Sequence, residues 1–358
     1  MTDERVMMLL ESLGHQELEG MIITRPENRR YLTGFSGSAG VFLILKGKGH
    51  LFVDSRYIEQ AQEECPLLEV ILVESVDFGT SAQIVDLIRD TRVGALGFEA
   101  DHLTFDQHRV LSEKLPFVTL KPMHQLVEDH RRIKNPDEIA RIREAAVITD
   151  RAYGRIRPCL RPGARERDVC TEIQYQLRKE GSEGESFDTI VVSGARSSLI
   201  HGQSSHKEIH AGDTVLMDFG AVFQGYHADM TRTVVMEKAS SKQREVFTLL
   251  LKAQEAALSL IQPGVTCEEV DTAAREVLKE GGYGDYFTHG IGHGVGLAIH
   301  EAPRLKKGIA IPLVSGMVVT VEPGIYIPGE WGCRIEDLVL VTDQGCEVLS
   351  HSPKEMEV

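Results

Sequence analysis

Two stretches of this chain, 101 residues apart, are versions of one another. LRPGARERDV at 160–169 aligns with IQPGVTCEEV at 261–270, and each runs on as a helical pattern to KEG at 179–181 or KEGG at 279–282. Farther along, GDTVLMDFG at 212–220 aligns with GMVVTVEPG at 316–324, with six residues from the glycine to an acid in both. Repetition of whole helix-and-strand units is a fold-level signal. It implies two similar α/β halves meeting about a pseudo-two-fold axis. Asp218 and Glu322 then occupy matching places, one carboxylate from each half reaching a shared interior.

The repeat occupies only part of a 358-residue chain, and that length favours two domains. Ahead of it, VFLIL at 41–45 and HLFVD at 50–54 flank KGKG and read as a hairpin. SAQIVDLIRD at 81–90 has Ile84, Leu87 and Ile88 at helical spacing, and VGALGFE at 93–99 reads as the next strand. This alternation predicts a separate α/β unit. Asn135, Pro136, Asp137 and Glu138 form a strong helix start, with Ile139, Ile142, Ala145 and Ala146 as its apolar stripe and Pro158 as its stop. The boundary is therefore placed at 127/128, giving domains 1–127 and 128–358.

The repeat also points to chemistry. After Asp218, strand alternation puts Asp229, Thr231 and Thr233 on one face. After Glu322, Arg334 and Glu336 share a face, and Glu336 interrupts an otherwise apolar strand. Each half thus supplies two carboxylates: Asp218 and Asp229, then Glu322 and Glu336. Four carboxylates aimed at one interior cannot all ionise unless cations neutralise them. An oxygen-rich set with one imidazole suits manganese, cobalt or iron as well as zinc, and it is large enough for two ions. THGIGHGVGLAIHE at 288–301 offers His289, His293 and His300, without the helical His-Glu-x-x-His spacing of zinc peptidases. Its glycines forbid a good helix and predict an extended or looped segment whose backbone comes close to a neighbour.

A formal charge of −15 argues against nucleic acid or an anionic membrane as the main partner. The amino-terminal MTDERVMMLLESLGHQELEG is amphipathic and has no basic segment ahead of an apolar one, and the longest apolar runs are far short of a membrane span. Six scattered cysteines without C-x-x-C pairs suit reduced thiols, so a cytoplasmic location is expected.

The motifs DFG-x8-D-x-TRT, GIGHGVGL-x2-HE, TVEPGIY and RIEDL resemble those of the pita-bread metallopeptidases, which include aminopeptidase P, prolidase, methionine aminopeptidase and the metal-free creatinase. SGARSSLIHGQSS at 193–205 is similar to the aminopeptidase P and prolidase segment that carries an active-site histidine. RPENRRYLTGFSGSAGVFLI and LFVDSRYIEQA resemble their amino-terminal domain. The resemblance implies an α+β protein, with an amino-terminal α/β creatinase-like domain and a carboxy-terminal pita-bread catalytic domain.

By the same resemblance Asp218, Asp229, His293, Glu322 and Glu336 are the ligands of two divalent ions, manganese first, with cobalt or zinc as alternatives. Asp229 and Glu336 would bridge, and Glu322 would also move the proton. His201, His289 and His300 match active-site histidines, with His201 and His300 touching substrate. Tyr326 and Arg334 match supporting or substrate-side positions. Ala298, Ile200 and Ile291 depart from the usual pattern and read as tuning the pocket. The implied activity is hydrolysis of an Xaa-Pro bond by a homodimer. GFSGSAG at 34–40 is more similar to aminopeptidase P, so cleavage at the amino terminus of peptides with proline second is the leading expectation, with the dipeptidase activity of a prolidase as the alternative. A non-catalytic binding module is disfavoured because all five ligand positions are intact.

Overall fold

The computed structural model describes residues 4–76 and 81–358. The first three residues of the amphipathic amino-terminal stretch therefore lie outside the described residues, and the rest of its apolar stripe forms the helix Glu4–His15, burying Val6, Leu9 and Leu13. Two compact units result, Met1–Arg131 and Arg132–Val358. The expected boundary at 127/128 falls inside the helix Leu126–Arg131, which stays with the first unit. Among the described residues no helix is long and apolar enough to cross a membrane.

The first unit is built on a six-stranded sheet in the order 69–72, 48–53, 41–45, 20–23, 95–99 and 119–123. The hairpin read at KGKG is present, with Leu45 paired to Lys48 around Lys46 and Gly47. Both turn residues have positive φ, 45° and 84°, the backbone twist that suits a two-residue hairpin. The helix Ala82–Thr91 packs Ile84, Val85 and Ile88 against the sheet core.

The second unit shows the repeat in its backbone. Helices Pro136–Ile156 and Glu166–Lys179 cover a three-stranded antiparallel sheet of 190–193, 214–219 and 230–235. Helices Ser241–Leu260 and Cys267–Glu280 cover the five-stranded sheet of 301–305, 292–294, 318–321, 337–342 and 345–348. In the first half Gly163 N–H donates to Ile209 O at 2.8 Å, and in the second Gly264 N–H donates to Leu313 O at 2.9 Å. Matching isolated bridges join Arg165 to Glu208 and Thr266 to Pro312.

The helix starts differ in how they are capped. Asn135 and Thr266 each make a reciprocal capping box, with Glu138 and Glu269 respectively, whereas Arg165 caps nothing with its side chain.

Pro162-Gly163 and Pro263-Gly264 open the repeated units. Their glycines sit at φ 86° and 93°, the conformation a proline-led turn requires at its third residue. An alanine there would be strained. Gly163→Ala and Gly264→Ala are each expected to cost about 1–3 kcal/mol, read by urea unfolding. A change too small to measure at either position would contradict the shared turn.

Candidate metal centre

Asp218 lies in the strand Thr214–Phe219, opposite Thr231, and Asp229 stands immediately before the strand Met230–Val235. In the other half Glu322 directly follows Val318–Val321 and Glu336 directly precedes Asp337–Thr342, where Val321 pairs with Asp337. Neighbouring strand ends in each half therefore deliver two carboxylates. The sequence expectation needs one correction: Glu336 does not interrupt a strand. The chain breaks at Ile335–Glu336 between Trp331–Arg334, in a two-stranded ribbon, and Asp337–Thr342, in the five-stranded sheet. That break frees the carboxylate from strand alternation. The Glu336 N–H donates to Thr231 O at 3.1 Å, joining the two halves at the site.

His293 comes from the short strand Gly292–Gly294, squeezed between two neighbours. A Cβ on Gly292 would lie 2.0 Å from Thr320 O, and one on Gly294 would lie 2.4 Å from Ala302 O. Close backbone approach is what these glycines permit. The His293 Nδ1–H donates to Gly294 O at 3.0 Å, which leaves the Nε2 lone pair facing the carboxylates. Nε2 lies 3.5 Å from Asp229 Oδ2 and 3.7 Å from Glu322 Oε1. One donor atom each of Asp229, His293 and Glu336 fall within 4.8 Å of one another.

This cluster is electrostatically unfavourable by itself. Burial pushes Asp218 up to about 7, against the pull of Arg334 and with the push of Asp229. Burial and the Asp229 charge raise Glu336 well above the carboxylate range, and burial raises Glu322. Burial alone would lower His293, but Asp229 and Glu322 outweigh it and raise it. The Oδ1 atoms of both Asp218 and Asp229 are buried without a hydrogen-bond donor. Buried lone pairs with no donor, set among mutually repelling carboxylates and one oriented imidazole, fit divalent cations.

The centre floors a cleft of about 1120 Å³ whose walls include His201, His289, His300 and Arg304. His201 and His300 are exposed to it, and the His300 ring packs edge-on against His293 at 4.4 Å. Its imidazole is lowered by partial desolvation and by His293.

His289 is placed differently. Its Nδ1–H donates to Gly290 O at 2.8 Å, so Nε2 accepts the Tyr326 hydroxyl at 3.0 Å. Both ring nitrogens are engaged within the protein, and burial with nearby Arg334 holds the imidazole down to about 4. Arg334 in turn donates to Tyr326 Oη at 2.8 Å, to Asp218 Oδ2 at 2.5 Å and to Thr231 Oγ1 at 3.0 Å. Tyr326 and Arg334 are both buried. Arg334, itself part of the cleft lining, thus holds Asp218 and is linked through Tyr326 to His289.

Comparison with known proteins decides the family. Residues 140–343 match the model of metallopeptidase family M24, and residues 5–133 match the creatinase/prolidase N-terminal domain. The chain belongs to metallopeptidase family M24. It is 38% identical to an Xaa-Pro dipeptidase of Pyrococcus furiosus over 99% of both chains. Its structure matches that of an Xaa-Pro dipeptidase from Bacillus anthracis with a TM-score of 0.96 at 39% identity, each chain covered completely. It also matches an X-Pro aminopeptidase from Thermotoga maritima with a TM-score of 0.88 at 36% identity, covering 96% of this chain and 98% of that one. The fold is accordingly the creatinase-type domain followed by the pita-bread domain of the M24 metallopeptidases.

The three departures from the M24 pattern do not all reach the pocket. Ile200 lines the cleft. Ile291 is fully buried in the core of the second half, and the Ala298 N–H donates to Glu301 Oε1 at 3.0 Å in the turn ahead of His300. Only Ile200 is placed to tune the pocket.

Several supporting contacts were not read from the sequence. The Thr231 hydroxyl donates to Glu336 Oε2 at 2.6 Å, and the Thr320 hydroxyl accepts the His293 N–H at 3.1 Å. Buried Arg232 donates to Glu336 O at 2.6 Å and pairs with Asp337 at 2.7 Å, and Lys354 reaches the other Asp337 oxygen at 2.5 Å. A basic residue inside the β-branched run TRTVV, and a second acid directly after Glu336, were the available signals. Lys134 and Glu301 form a buried pair at 3.1 Å beneath the His300 turn, for which the sequence held no cue.

Asp229→Asn removes one carboxylate from the centre while keeping its shape. The variant is expected to fold with a native far-ultraviolet spectrum and to retain less than one tenth of the native divalent metal by elemental analysis after dialysis, the scale of an outright ligand loss. Native metal content would remove Asp229 from the ligand set.

Proposed function

We propose that this metallopeptidase is an Xaa-Pro dipeptidase. The observation that carries the proposal is likeness across nearly the whole chain to Xaa-Pro dipeptidases, around a cleft lined by four carboxylates and one imidazole, three of which group within reach of one ion. This reverses the order of the sequence-based expectations, which put aminopeptidase activity first on GFSGSAG. In the first unit that segment folds around its own anchor: buried Arg29 donates to Gly40 O at 2.7 Å and to Gly37 O, and Ser36 is held by Glu64 at 2.7 Å. Such residues are accounted for by the loop's own structure and say little about substrate length. Aminopeptidase activity remains the second reading, favoured by the likeness to the Thermotoga maritima enzyme.

In this reading Asp218, Asp229, His293, Glu322 and Glu336 would hold two divalent ions. The oxygen-rich donor set supports manganese, with cobalt or zinc as alternatives. When bound, the ions supply Lewis acidity at the scissile carbonyl and make water nucleophilic near neutral pH. The protein does the rest. Glu322, approached by the Thr320 hydroxyl at 3.4 Å, takes the proton of the attacking water and delivers it to the proline nitrogen, which has no N–H of its own in the intact bond. His300, facing the cleft, donates to the carbonyl oxygen as negative charge grows there. His201 borders the proline side. His289 is assigned to orienting Tyr326 and Arg334. A homodimer in the cytoplasm completes the proposal, supported by the family resemblance and by six unpaired cysteines.

Ala-Pro and Ala-Pro-Ala, offered to metal-free protein reloaded with manganese, cobalt or zinc, separate the two readings. Cleavage of Ala-Pro with little turnover of the tripeptide is expected, and preference for the tripeptide would restore the aminopeptidase. His300→Ala is expected to lower kcat on the order of 100-fold with metal content kept. Loss of metal from that variant would instead make His300 a ligand.

A further inference from the structure

The two halves repeat so closely that a difference between matched residues is informative. At the helix starts the backbone frames coincide. In the first half Glu166 N–H donates to Lys207 O at 3.1 Å and Arg167 N–H to Ser205 O at 2.9 Å. In the second Cys267 N–H donates to Ile311 O and Glu268 N–H to Ile309 O, both at 3.0 Å. Within that shared frame the side chains part ways. Cys267 is an apolar member of the second core, whereas Glu166 is a fully buried carboxylate. Burying a carboxylate is costly unless hydrogen bonds satisfy it, so the exchange calls for a reason.

The reason lies in what Glu166 holds. Its Oε1 accepts the N–H and hydroxyl of Ser193 at 2.7 and 2.9 Å. Its Oε2 accepts the N–H and hydroxyl of Ser205 at 3.0 and 2.6 Å and Arg196 Nε at 3.1 Å. Five donors leave neither carboxylate oxygen with an unused lone pair, since the two oxygens offer about four between them. Ser193 and Ser205 are the two ends of the segment that carries Ile200 and His201 into the cleft. The middle of that segment is fixed separately, where Gly332 N–H donates to the Ser197 hydroxyl at 2.8 Å. Glu166 therefore clamps both ends of the loop, and His201 projects between the clamp and the Ser197 anchor. The first half has given up the side-chain cap found at Thr266 and directs its first helical carboxylate to this loop instead.

We propose that Glu166 is a positioning residue for His201, fixing the proline-side wall of the cleft. This rests on the Xaa-Pro reading of the site. Glu166→Gln keeps the volume but turns an amide N–H₂ toward groups that are themselves donors.

The test is a double-mutant cycle with His201→Ala on Ala-Pro, joined to amide hydrogen exchange of the peptide segment 194–204. In the native background Glu166→Gln is expected to lower kcat/KM by about 10-fold or more, with metal content unchanged and exchange across 194–204 accelerated. In the His201→Ala background the same change is expected to cost less than ~3-fold, because the two losses are one loss. Equal losses in both backgrounds, or native exchange in the segment, would overturn the proposal. If Glu166→Gln does not fold, Ser205→Ala removes the shortest bond to the carboxylate and is judged by the same two readouts. A native protein that leaves Ala-Pro intact would overturn the Xaa-Pro dipeptidase reading, while the exchange measurement would still decide whether Glu166 clamps the loop.

Discussion

Four carboxylates share one buried site with a single imidazole, and much of the catalytic unit can be understood as the means of holding them there. Left alone they repel, and burial makes the repulsion worse. Three are pushed toward protonation, most strongly Glu336, and two carboxylate oxygens are buried without any donor. The protein offsets part of this with Arg334, whose guanidinium meets Asp218, and part with the Thr231 hydroxyl on Glu336. Divalent cations, which this donor set fits, would supply the remainder. A site that is unfavourable empty is a site whose occupancy is linked to stability.

Duplication gives that arrangement its geometry. Each half brings two neighbouring strand ends to the seam, and the Glu336 N–H on the Thr231 carbonyl ties one half to the other beside the clustered carboxylates. Behind the seam, Arg232 and Asp337 are a buried ion pair completed by Lys354 from the carboxy-terminal segment. Removing one member of such a pair is more damaging than never having had it. The same symmetry, where broken, marks function: a thiol at Cys267 faces a core, and a carboxylate at Glu166 faces a loop of the cleft.

What the sequence revealed follows from the range of the interactions involved. The hairpin at Lys46–Gly47, the capped helix at Asn135 and the paired units at 160 and 261 are local patterns, and all are present. The five converging groups were legible because repetition placed Asp218 and Glu322 in register and because their motifs resemble a known family. The break at Ile335–Glu336 was not, since residues 331–342 carry no turn residue there although the two strands join different sheets. Nor was the engagement of both nitrogens of His289, which depends on Tyr326, 37 residues away. Glu166 and Glu301 carry no local signal of burial because their partners lie 27 to 39 and 167 residues along the chain.

The central claim is that buried carboxylate repulsion is resolved by cations. It is tested most directly by titrating metal-free protein with Mn²⁺ in a calorimeter while following the melting temperature of the same samples. Uptake of two ions per chain, with the melting temperature rising through the titration, is the expected result. No uptake, or a melting temperature indifferent to the metal, would contradict the account.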